Sequence, residues 1–167
     1  APAEVLAKVD PALGSQRRTQ LYLQWAAAAR RERDYEGALQ IYLRHVMDDT
    51  PNIARDRIAL TFEEAEQYYR AQDDLPSAAR LMADYGMSQL PEWTRPRLVQ
   101  VWRDQGWRLL RRGDFAKARE AFGQAERFVE GSARADLQQV EYRERLEALA
   151  PVDPVGRFNL GVWCQER

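Results

Sequence analysis

The chain of 167 residues has a single cysteine, Cys164, and a single histidine, His45. One thiol excludes an intrachain disulfide and leaves the redox compartment open. One imidazole with no second soft ligand near it in sequence argues against a zinc site and against a Cys-His catalytic pair. No run approaches the roughly 18 consecutive apolar residues of a membrane span. Gly106, Gly113 and Gly123 stand isolated, so no glycine-rich loop is available to cradle a phosphate. Lysine is equally scarce: of the 25 basic residues only Lys8 and Lys117 are lysines, and the other 23 are arginines. That bias fits a GC-rich, bacterial source and makes the surface rich in planar, bidentate donors that also stack on aromatic rings. The 26 acidic residues nearly cancel them, giving a net charge of -1. Near-neutrality disfavours general nucleic-acid binding, and no polybasic segment offers itself to anionic lipid. The opening Ala-Pro-Ala carries neither a charged n-region nor an apolar h-region, so no uncleaved signal peptide is expected. The compartment is left between bacterial cytoplasm and periplasm.

What the chain does have is a period. Asp34, Asp74 and Asp114 lie 40 residues apart and open the phrases Asp-Tyr-Glu-Gly-Ala, Asp-Leu-Pro-Ser-Ala and Asp-Phe-Ala-Lys-Ala. Ala38, Ala78 and Ala118 follow in step, and Tyr42, Met82 and Phe122 come four residues later. Pro51 and Pro91 close the first two units, and Gly131 falls at the corresponding place in the third. Small and bulky residues recurring at helical spacing within such a period mark a stacked helical repeat. Apolar content of 45% suffices for three or four such units sharing one core.

The predicted order is an N-terminal segment (1–15), three repeats (16–50, 51–90 and 91–130), a capping helix (131–150) and an apolar C-terminal tail or truncated further repeat (151–167). Within the first repeat, helices over about 16–32 and 35–48 turn Leu21, Trp25, Ala26 and Ala29, then Ala38, Leu39, Tyr42 and Val46, inward. In the second, Ile58, Phe62, Ala65 and Tyr69 face Ala78, Leu81, Met82 and Tyr85, with an exit expected near Gly86. The third places Leu98, Trp102, Gly106 and Leu109 on a helix over about 94–112, and Ala118, Phe122 and Ala125 on its partner. The capping helix, about 133–149, carries Leu137, Val140, Leu146 and Leu149 on one stripe and a dense Glu/Arg face on the other. Phe158, Leu160, Val162 and Trp163 are too apolar to hang free, and suggest packing on the last helices or self-association.

On these residues the chain resembles the tetratricopeptide repeat family. Trp102, Gly106, Leu109, Gly113, Asp114, Phe115, Ala118, Phe122 and Ala125 fit its alternation of small and large positions best. Tyr22, Trp25, Ala26, Tyr35, Ala38 and Tyr42 match in the first unit. The period of 40 departs from the family's usual 34, as do Glu66 and Met82 in the second unit. The resemblance implies an all-α, right-handed solenoid of antiparallel helix pairs whose first helices line a concave groove. Matching positions are Leu23, Ala27 and Arg30, then Glu63, Gln67 and Arg70, then Arg103, Trp107 and Arg111.

Arg103, Trp107 and Arg111, four apart, form one column on a helix, roughly opposite the Leu98–Trp102–Leu109 stripe. Trp and Arg dominate interface hot spots, so this column is the sharpest candidate for partner binding. The competing reading is that Trp107 packs against a neighbouring repeat. The Lys/Asn carboxylate clamp known in the family is absent, because Leu23 and Ala27 occupy its places. His45 replaces a small inward residue and reads as a packed side chain. The expectation is a non-catalytic scaffold, without cofactor or metal, binding a peptide or partner domain with acidic groups. The alternative is a module that holds a polyanionic glycan or RNA through groove arginines.

Overall fold

The computed structural model describes residues 14–149 and 153–165, and these are helical throughout with no strand among them. Eight helices follow one another: α1 (Ser15–Arg31), α2 (Tyr35–Ile41, prolonged by a π-turn over Tyr42–Val46), α3 (Pro51–Ala71), α4 (Leu75–Gln89), α5 (Pro91–Arg111), α6 (Phe115–Phe128), α7 (Arg134–Ala148) and α8 (Pro154–Gln165).

The 40-residue period is visible first in the turns. Arg33, Asp73 and Gly113 all adopt left-handed backbone, with φ of 66°, 60° and 76°. The amide of the aspartate after each one reaches back to a carbonyl five residues earlier: Asp34 to Ala29, Asp74 to Tyr69, Asp114 to Leu109. The left-handed residues themselves donate to Arg30, Arg70 and Leu110. This pair of bonds closes a helix on its last orphan carbonyls. The same aspartate then starts the next helix, its side chain accepting from the amide of Gly37, Ser77 or Lys117. The core keeps the period as well. Ala38, Ala78 and Ala118 are fully buried, and so in effect are Tyr42, Met82 and Phe122.

The chain divides after Pro91 into two compact units. In the first, α1 packs on α2, α2 on α3 and α3 on α4. Ala26, Leu39, Val46, Ile58, Phe62 and Ala65 fill its interior. Tyr35, almost wholly buried, packs against the rings of Tyr68 and Tyr69 at 5.9 and 6.2 Å. Helix α4 runs through the exit expected at Gly86 to Gln89, with Gly86 buried inside it.

The second unit departs further from expectation. Helix α5 begins at Pro91, three residues early, because proline suits a first turn. Pro96 consequently lies inside the helix, on its exposed side. The α5 residues that bury are Thr94, Leu98, Val101, Gly106 and Leu110, whereas Trp102 and Leu109 are half-buried beside them. Gly106 is indispensable: a Cβ there would sit 2.5 Å from the Phe122 ring. The expected stripe of α7 holds for Val140 and partly for Leu137, but Leu146 is exposed. Nor is α7 the last element, because residues 154–165 form α8, which packs on it. Asp153 caps α8 by accepting from the Gly156 amide, as Asp114 caps α6. The aspartate cap is thus the feature that α8 shares with α2, α4 and α6. Residues 1–13 and 150–152, with the N-terminal segment expected there, lie outside the described residues.

Candidate functional site

Glu126, on α6, accepts from the amides of Gly131 (2.6 Å) and Ala133 (2.5 Å), which fixes the entry into α7. That entry places Asp136 in the first turn of α7, where the helix dipole favours a carboxylate. Asp136 is 4% exposed and accepts three hydrogen bonds from α5. Arg103 donates Nε to Oδ2 at 2.5 Å and Nη2 to Oδ1 at 3.2 Å. Trp107 donates its indole Nε1–H to Oδ1 at 3.1 Å. The bonded carboxylate raises the Arg103 pKa still further, so the guanidinium is held charged. The Trp107 ring also meets Phe122 edge-on, 5.8 Å between centroids.

Two of the three residues in the predicted arginine–tryptophan column are therefore engaged inside their own unit. Trp107 is half-buried against the core, as Trp102 is. The physical reason is that α5 buries two faces, one beneath α6 and another beside α7. Arg111, one turn on, is exposed. Asp136 was not anticipated as a site residue. Its signal was faint: a carboxylate at the third position of a helix, with Arg103 33 residues back.

In the first unit, Leu23, Ala27 and Arg30 lie on α1, and Glu63, Gln67 and Arg70 on α3. Arg30 grips Glu64 with two bonds, Nε at 3.0 Å and Nη2 at 2.8 Å, tying α1 to α3. Arg70 holds Glu66 at 3.0 Å, one turn back along α3. Gln67 is exposed, and Leu23, Ala27 and Glu63 are half-buried. Arg30 is thus committed to an ion pair that links α1 to α3.

His45 occupies the π-turn of α2 and stacks on Tyr22, 4.4 Å between ring centroids and 11° from parallel. Burial, with Arg44 adding to it, pushes its pKa below the ordinary imidazole value. It packs as a neutral ring. Among the described residues no helix is long and apolar enough to cross a membrane, and no group of three or more His, Cys, Asp or Glu side chains could hold a metal. No family model matches the chain, nor does any curated protein or solved structure.

Proposed function

We infer that this chain is a non-catalytic interaction module, a tetratricopeptide-like solenoid of antiparallel helix pairs that holds a peptide or a partner domain. The observation that carries the reading is the triple recurrence of one turn, with its left-handed residue and aspartate cap, at 33–34, 73–74 and 113–114. Recurring helix joints of this kind are characteristic of repeat proteins, which commonly work as binding surfaces.

The contact face falls within each unit separately. On the second unit it comprises the uncovered side of Trp107 together with Arg111 on α5, and Arg143 and Glu147 one period later on α7, all three charged residues being exposed. Asp136 then acts as a positioning residue, presenting the indole at a fixed angle. On the first unit it comprises Leu23, Ala27, Glu63 and Gln67. The polyanion alternative is weakened by the commitment of Arg30 and Arg103 to Glu64 and Asp136, which removes two groove cations from any phosphate or sulfate.

The test is selection from a random-peptide display library against the native chain. Selected peptides should shift the Trp107 indole resonance, should lose at least about tenfold in affinity to Arg111→Glu, and should bind with little dependence on salt. Peptides that leave the α5 and α7 resonances unmoved would overturn the assignment of the face. Steep salt dependence, with heparin or RNA competing, would favour the polymer reading.

A further inference from the structure

In the first unit Tyr35, at the start of α2, packs on Tyr68 near the end of α3, with 5.9 Å between ring centroids, and is 2% exposed. Two periods on, Phe115 starts α6 and Ala148 ends α7. The alignment of these two helices is fixed at both ends. Glu126 holds the Ala133 amide at one, and Arg119 is joined to Glu144 at 2.6 Å towards the other. Arg119 comes one turn after Phe115 and Glu144 one turn before Ala148, so Phe115 and Ala148 stand level, as Tyr35 and Tyr68 do. Where the first unit has a ring, the second has a methyl group. Phe115 is only half-buried, and Ala148 is exposed.

The result is a groove of about 840 Å³ between α6 and α7, which runs from Ala148 past Glu144 and Glu141 to Arg134. That volume falls in the range of about 300–1,000 Å³ common to ligand pockets. Two of the three arginines that line it are neutralised locally, Arg119 by Glu144 at 2.6 Å and Arg145 by Glu141 at 2.9 Å. Among the described residues no ion pair takes Arg134, which is exposed at the first position of α7. The groove therefore has an apolar end that lacks its ring and a positive end that lacks its anion.

We propose that this groove binds an extended peptide segment of a partner protein through an aromatic side chain, which takes the place that Tyr68 holds in the first unit and packs on Phe115. The first unit supplies the pattern of that contact, and the charge of the lining supplies its direction. With three arginines against two glutamates, the surplus positive charge sits at Arg134, where an acidic residue of the same segment completes the pairing. Ala148 and Arg134 are about 21 Å apart along α7. An extended chain covers that distance in roughly six residues, which sets the spacing from aromatic to acid. Trp107, Arg111, Arg143 and Glu147 do not line this groove, so it is a second site, independent of the face on α5 and α7.

The probe is the blocked peptide acetyl-Tyr-Ser-Gly-Ser-Gly-Ser-Asp-amide, titrated into the native chain and followed by NMR. It should shift the resonances of Phe115 and Ala148 and saturate with a dissociation constant of about 1 mM or below. Alanine in place of its tyrosine, or asparagine in place of its aspartate, should weaken it. Ala148→Tyr supplies the missing ring from within the chain. It should raise the melting temperature and weaken the native probe at least about tenfold. Tyrosine is a poorer helix former than alanine, so on a surface with no gap to fill the same substitution would lower the melting temperature. A probe that moves neither Phe115 nor Ala148 overturns the proposal, as does equal binding by either altered probe. So does an Ala148→Tyr chain that melts lower and binds the native probe unchanged. None of these readings involves the Trp107 resonance, which reports on the other face separately.

Discussion

The two units solve one packing problem with different chemistry. In the first, Tyr35 is closed over by the rings of Tyr68 and Tyr69, and the principal cross-helix ion pair, Arg30 with Glu64, leaves its carboxylate over a third exposed. In the second, two periods after Tyr68 and Tyr69, stand Ala148 and Leu149. No aromatic pair closes there, and an open groove of about 840 Å³ runs between α6 and α7, lined among others by Arg119, Gly123, Leu137 and Ala148. Its helices are held instead by the Phe122-on-Gly106 contact and by the buried Asp136. Among the described residues, the first unit shows one exposed large hydrophobic residue, Ile53, and the second shows five. Apolar surface among the described residues is thus left uncovered mainly in the second unit.

The largest effect expected from that contrast lies within the second unit. Phe122 is fully buried, so Phe122→Ala should cost about 4 kcal/mol in chemical denaturation through lost burial and the cavity beside Gly106. Phe158→Ala, at a position 72% exposed, should change stability by less than about 0.5 kcal/mol. Equal losses at the two positions would mean that α8 is packed on both sides, and would close the comparison.

A middle-sized effect separates the two fastenings. Asp136→Ala removes one nearly buried carboxylate, orphans the Trp107 indole N–H and frees Arg103, whose side chain is 38% exposed and can turn to water. We expect a loss of about 2 kcal/mol. Glu64→Ala in the first unit should cost about 1 kcal/mol or less, since a carboxylate that is 36% exposed gives up only a screened pair. If the order were reversed, the ion pair rather than the tyrosine cluster would be holding the first unit together.

Much of this fold was legible in the sequence, because its period is written in residues whose effects are local. An aspartate cap and an alanine–aromatic pair four apart act within one or two turns, and each recurred where the period placed it. The core of α2, α3 and α6 followed. What could not be read was rotation about a helix axis where two faces are buried. The α5 sequence offers Trp102 and Trp107 on different sides, and periodicity favoured the first, whereas both turn out half-buried. The fastening of α5 to α7 depends on Asp136, which sits among six acidic residues of residues 126–147 and looks like part of a solvated face. Only the loop held by Glu126 turns that one carboxylate inward. For the tail, a truncated further repeat was one of two readings, and the sequence left them open because the cap, Asp153, precedes a proline that could equally have ended regular structure.

The smallest effect concerns the turns, where the two units are most alike. Lys117 stands where the other turns have Gly37 and Ser77, and its ammonium lies 2.9 Å from the Asp114 carboxylate. The side-chain bond from Lys117, followed by the bond from its backbone amide, holds the Asp114 pKa below the ordinary 3.8. The carboxylate is thus favoured in the folded state. Its contribution is fully present above pH 3.8 and is lost as the pH falls through the lower, folded value. Lys117 is well exposed and water screens the pair, so the effect on stability is small, but the titration itself is readable. Carbon-13 NMR of the Asp114 side chain should give a midpoint below 3.8 in the native chain, and Lys117→Ala should move it upward. The midpoint should still fall short of 3.8 in that variant, because the backbone amide at residue 117 continues to donate. A midpoint that Lys117→Ala leaves unmoved would show that the cap alone depresses it, and that this turn differs in nothing from the other two.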